Sequence, residues 1–226
     1  MTPTHPNKAQ PPEAWRILLV AVWLAVVVAV FGFGPPSHPD TPVWIWKMIT
    51  GQWEGLEGWM VSIFNQLGIW PMVMASVLWA EQRSQRVPYW PFGLLSMATG
   101  MYSLTLYLVV RDPAAPLQST RVARWLDSPL WVVPLLCAAV GLMGYGLATG
   151  DPYAYAERFK TEQLVCAMSV DWLVFWLASG PLMWQDAKRR GWSHTNATLP
   201  LALLLPLVGP LIYLLLRPRL APNAEA

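Results

Sequence analysis

Residues 15–34 read WRILLVAVWLAVVVAVFGFG, twenty residues with a single charge at their edge. A helix so uniformly apolar has no polar face to offer water, and it matches the roughly 20 apolar residues that cross a bilayer core about 30 Å thick. Five further stretches meet the same length requirement: Trp59 to Ala80, Trp90 to Val110, Ser128 to Thr149, Leu164 to Trp184 and Ala197 to Leu216. The connections between them are short and hold most of the charge. Only 12% of the 226 residues are charged, about half of what a soluble domain carries. That deficit excludes a disordered chain and a soluble globular fold, and a net charge of +2 gives no electrostatic footprint for nucleic acid.

The expected architecture is an all-α integral membrane bundle of about six transmembrane helices. The domain division is a disordered N-terminal tail (1–14), a single transmembrane domain (15–220) and a C-terminal tail (221–226). The first stretch ends in Gly32-Phe33-Gly34-Pro35-Pro36 without a small-x-small cleavage site, so it reads as a retained helix and not a signal peptide. Several of the fifteen Trp, including Trp59, Trp79, Trp90, Trp131 and Trp184, stand at the ends of the stretches, where bilayer anchors belong. Val43 to Ile49 is too short to span and is expected to lie flat at the headgroups. Leu117 to Trp125 is expected to form an amphipathic turn with snorkelling Arg121 and Arg124.

The two halves of the chain share an order of features. One holds Gly68 and Pro71, then Glu81 and Arg83, then Tyr107 and Arg111; the other holds Gly180 and Pro181, then Asp186, Lys188 and Arg189, then Tyr213 and Arg217. The spacing predicts a 3+3 internal repeat over 15–113 and 128–218. Three spans per copy would invert the second copy. With six spans the fifteen Lys and Arg divide eight to seven between the two faces, which two opposed copies would produce and which sets no orientation.

Asp171 is the one acid well inside a stretch, about 10 Å deep by helical rise. A carboxylate there is costly unless paired, protonated or facing water; it is either a proton-handling or acid/base group, or a structural acid that ties helices. Asn65 and Gln66 occupy the corresponding place in the first half. Pro71 and Pro181 would each break a helix and free backbone carbonyls, a pointer to a central binding site. Glu54 lies on the turn 51–55, and Asp186 heads a basic loop suited to a lipid headgroup. No spacing of His, Cys, Asp or Glu suggests a bound metal, and no nucleotide-binding or hydrolase motif is present.

Thr50-Gly51-Gln52-Trp53-Glu54-Gly55, Phe64-Asn65, Gly68-Ile69-Trp70-Pro71, Tyr89-Trp90-Pro91-Phe92, Ser169-Val170-Asp171, Arg189-Arg190-Gly191 and Pro206 to Tyr213 with Arg217-Pro218 together resemble a family of polytopic membrane proteins of cyanobacteria and plant plastids, one without an established activity. Gln185-Asp186 departs from the two acids that pattern would place there, which speaks against a metal at that loop. The resemblance implies a plasma or thylakoid membrane of a photosynthetic organism.

Three functions are consistent with these residues. The first is a non-catalytic assembly factor, or a binder of pigment or lipid, with photosynthetic complexes, carotenoid or chlorophyll as partners and no nucleic acid. The second is an intramembrane enzyme of isoprenoid or carotenoid metabolism with Asp171 as acid/base. The third is a small proton-coupled transporter built from inverted repeats. No cofactor is specified by the sequence.

Overall fold

The computed structural model describes residues 13–220; the expected tails, apart from residues 13 and 14, lie outside the described residues. Those described are helices and connections, with no strand among them. Three helices are long and apolar enough to cross a membrane: 58–84, 129–149 and 163–189.

The first helix, α1 (Glu13–Val27), runs on through one π turn (Val28–Gly32). A short helix, α2 (Thr41–Thr50), follows over the segment expected to lie flat. The long α3 (Gly58–Leu78) starts where the Glu57 carboxylate accepts from the Trp59 and Met60 N–H groups, supplying partners for otherwise orphaned donors. It tightens into a 3-10 turn, Trp79–Ser84. Then come α4 (Trp90–Thr99), α5 (Met101–Val110), α6 (Arg121–Leu126), α7 (Pro129–Thr149), α8 (Pro152–Thr161), α9 (Gln163–Arg189), α10 (Thr195–Leu204) and α11 (Val208–Leu216).

The expected third and sixth spans are not single helices. Trp90 to Val110 breaks at Gly100, whose φ of 59° and ψ of −139° belong to glycine alone; a Cβ there would also overlap the Asp171 carboxylate. The chain folds back at that point. The Tyr89 and Tyr107 rings are 5.4 Å apart and Phe92 and Tyr107 5.7 Å, whereas a continuous helix would separate them by more than about 20 Å. Small side chains line the fold, with the Ser103 hydroxyl donating to the Phe92 carbonyl at 3.5 Å. The second segment breaks at Leu205–Leu207, where Leu207 has φ 61°, and again returns to its start: the Trp192 and Tyr213 rings are 5.4 Å apart. Each arm of ten residues or so measures about 15 Å, half a bilayer core.

Pro71 and Pro181 break nothing. Each lies inside a continuous helix, and the Pro71 carbonyl accepts from the Tyr89 hydroxyl at 3.4 Å. The signal for interruption thus belonged to glycine and to the Pro206 turn, not to the two prolines on the long helices.

Both hairpins start and finish at one end of the molecule. Arg111 at the close of α5 bonds Glu81 beyond α3, while Arg189 and Gln185 of α9 bond Glu81 and Arg111. Asp127, ahead of α7, bonds Arg190 and Arg217. At the opposite end Gln163 N–H donates to the Pro36 carbonyl, and Asp151 N–H to Glu57. The order of elements does not support an inverted second copy. Long helix, short helix, long helix, hairpin occurs twice in the same sense, in α1–α5 and then in α7–α11, each set making two passes along the molecule and a return.

The core lies where α3 and α9 cross, with Trp70 stacked on Phe175 at 5.6 Å. A second cluster of Met48, Met60, Val61, Val165 and Met168 seals the opposite end beneath α2. Sixty-one per cent of the apolar window of α3 is buried but only 17% of that of α7, so α3 is central and α7 offers an apolar face outward.

Candidate functional site

The sequence motif Tyr-x-x-x-Arg places both side chains on one helix face, and the structure uses that twice. On α5 the Tyr107 hydroxyl and the Arg111 guanidinium both donate to Glu81, at 3.2 and 3.0 Å. On α11 the Tyr213 hydroxyl and Arg217 both donate to Asp186, at 2.6 and 2.7 Å. Each acid is fully buried, so neither is the solvated headgroup cap that the sequence suggested for Asp186. Sequence reading used these tyrosines and arginines as landmarks of the repeat but did not join them to the acids, and it passed over Asp127 altogether. The signal was the scarcity of charge itself: where acids are so few, each must have a partner.

The two clusters differ in composition. Around Asp186 the charges balance: Asp186 and Asp127 face Arg190 and Arg217, all four within 4% exposure. Burial alone would drive the Arg190 guanidinium toward neutrality, but the carboxylates of Asp186 and Asp127 overcome it and raise its pKa. Around Glu81, two guanidiniums share one carboxylate, at 3.0 Å from Arg111 and 2.5 Å from Arg189. One further N–H group of each goes to a neutral oxygen, Arg111 to the Gln185 side chain and Arg189 to the Ala115 carbonyl. Asp112, next in sequence, accepts from Ala114 N–H in an exposed turn.

Beside the Glu81 cluster a cavity of about 290 Å³ runs between α1, α5 and α9. Arg111 and Gln185 line it at the arginine end; Trp23, Tyr102 and Pro181 form much of its wall, and Asp171 lies deep within it. Trp23 is fixed by donating to the Tyr102 carbonyl at 2.8 Å, while the Tyr102 hydroxyl is buried without a partner.

Asp171 accepts from the Met101 N–H at 2.7 Å, so it caps the returning arm of the first hairpin from another helix. A carboxylate at a helix N-terminus satisfies an orphan donor and complements the helix dipole. Its expected neighbour Asn65 instead donates to the Val61 carbonyl of its own helix. Gln66 is the link to α9, accepting from Trp172 Nε1 at 3.0 Å and donating to Ser62. Glu54 lies in the turn at the opposite end and is exposed. Of the residues singled out from sequence, the cavity gathers Asp171 and Pro181 only; Asn65, Gln66, Pro71, Glu54 and Asp186 belong elsewhere. Among the described residues no three His, Cys, Asp or Glu side chains converge as metal ligands. Comparisons with protein-family models, with curated proteins and with solved structures find nothing that matches this chain.

Proposed function

We propose that this is a multi-pass integral membrane protein, with α1, α3, α7 and α9 crossing the bilayer and the two hairpins re-entering from one face, and that it binds a lipid or pigment chain without chemistry. Eleven of the fourteen Lys and Arg among the described residues lie at the arginine end, with only Lys47, Arg158 and Lys160 at the other. Under the positive-inside rule the arginine end is cytoplasmic. The even division expected from six spans came from counting each hairpin as a crossing.

One observation carries the binding reading: an apolar cavity reaches from the arginine end into the bundle, and its one deep acid is engaged in capping α5. Ligand sites are concave and apolar with a few placed polar groups. Here the volume suits one chain; a tetrapyrrole would overfill it. The acid/base and proton-transport readings both need Asp171 free to exchange its proton, and the Met101 bond supplies it with a structural task. A place in a photosynthetic membrane rests on the sequence resemblance alone.

The test is mass spectrometry of small molecules extracted from the protein purified in mild detergent. The expected result is one chain-bearing species at near-stoichiometric amount, lost from a folded Ala178→Trp variant in which the indole fills the cavity. Equal recovery from both proteins would place the molecule outside this cavity and overturn the proposal.

A further inference from the structure

The two clusters at the arginine end share one arrangement, and among the described residues only one of them has as many acids as arginines. In the second, Asp127 approaches from the start of α7 and gives Arg190 and Arg217 a second carboxylate. In the first, among the described residues, the partners beyond Glu81 are a neutral amide, Gln185, on Arg111 and a peptide carbonyl on Arg189. Arg111 is 4% exposed, Arg189 18% and Glu81 not at all. One carboxylate shared by two guanidiniums leaves a positive charge that an anion reaching the buried Arg111 would stabilise. Gln185 and Arg111 both line the cavity, so the buried arginine of the cluster and its neutral partner face the empty volume, while Arg189 lines a separate cleft beside Ala114 and Pro116.

We infer that the cavity takes a single-chain amphiphile with an anionic head, a carboxylate or a phosphate monoester, whose head sits against Arg111 and Gln185 in the role that Asp127 plays in the second cluster. This rests on the ligand-binding reading above and adds the charge of the head and the direction of the chain. The head lies at the arginine end, the level of lipid headgroups, and the chain runs inward between Trp23 and Pro181 toward Tyr102. At roughly 30 Å³ for a group about the size of a water molecule, 290 Å³ accommodates on the order of ten carbon atoms. A diacyl lipid would leave a whole second chain outside.

The experiment is native mass spectrometry of the full-length protein, delipidated in a nonionic detergent and titrated with laurate, dodecyl phosphate and dodecanol in turn. The anions are expected to bind about tenfold or more tighter than the alcohol, the gain of a charge-assisted hydrogen bond in a desolvated site. Which anion binds more tightly identifies the head as carboxylate or phosphate. The decisive variant is Gln185→Glu, which rebuilds the second cluster's charge balance in the first. It should fold at least as well as the parent, lose about tenfold of its anion affinity and keep its dodecanol affinity. Anions and alcohol binding alike, with Gln185→Glu unchanged, would overturn the assignment of the head and leave the cavity as a neutral lipid site. If none of the three binds, both this inference and the ligand-binding reading fall.

Discussion

The hairpin formed by α4 and α5 and the one formed by α10 and α11 solve one problem with different residues. Each must turn back inside an apolar bundle and secure its returning arm. The first turns at a glycine whose conformation no side chain tolerates, and its tip is held by a carboxylate from α9. The second turns at Pro206 and Leu207, with the buried Leu207 side chain packed into the core, and Trp176 on α9 donates to the Ala202 carbonyl near the tip. At the mouth the ranking reverses. The second hairpin closes on two acids and two arginines in balance, while the first, among the described residues, closes on one acid and two arginines beside an open cavity. The tightly sealed copy shows what the open copy lacks, and that contrast is what gives the cavity a chemical character.

The largest effect expected concerns topology, since each hairpin either crosses or returns. With Cys137 and Cys166 replaced by Ala, single cysteines at Arg86, Pro116, Ser193 and Arg219 should all react with an impermeant maleimide from the cytoplasmic face. One at the exposed Tyr153 should react from the other. Six spans would instead put residues 86, 153 and 219 on one face and residues 116 and 193 on the other. That pattern would break the comparison, because there would be no hairpins to compare.

Next in size is the loss of an acid from each cluster. Glu81→Gln leaves Arg111 and Arg189 without a carboxylate, and breaking a buried pair in this way costs about 3–5 kcal/mol. Asp127→Asn leaves Asp186 to serve both Arg190 and Arg217, and the expected cost is smaller, roughly 1–3 kcal/mol. Thermal unfolding of both variants in the same detergent should put Glu81→Gln well below Asp127→Asn. The reverse order would mean that the Glu81 cluster holds a further carboxylate, and the argument for an anionic ligand would lose its basis.

Much of this architecture was legible in the sequence: the helical class, the apolar segments, and the short amphipathic segments at 43–49 and 117–125, which fall on the helices 41–50 and 121–126. What misled was hydropathy at Trp90–Val110 and Ala197–Leu216. Two apolar half-helices joined by a tight turn have the length and composition of one span. Gly100 is a single residue in an apolar run, and nothing local distinguishes a glycine that packs a helix from one that reverses it. The expectation of an inverted second copy came from the same count, since three passes per half reverse direction, whereas two passes and a return preserve it. The charge distribution carried a hint, because an even division of Lys and Arg is unusual for a membrane protein. The buried clusters were half visible: the repeated Tyr-x-x-x-Arg was plain, but its acids lie 26 and 27 residues away in sequence, and only the hairpins bring them near.

The smallest effect expected is at the residue that the sequence marked most strongly. Asp171→Asn keeps an oxygen able to accept from Met101 N–H, so the cap survives and the change in stability should stay within about 1 kcal/mol. Asp171→Ala removes the acceptor and should cost about 1–2 kcal/mol, the range of a lost helix cap. The second hairpin has no such carboxylate, so Asp171 measures what the first hairpin requires beyond its glycine. The readouts are thermal unfolding together with laurate affinity, which should change less than twofold in the amide variant because the head binds at the far end of the cavity. An Asp171→Asn protein that folds normally but fails to restore growth or pigment content in a deletion strain would show that the proton matters. Asp171 would then be the working group of an enzyme or a transporter, and the Met101 bond would serve to position it.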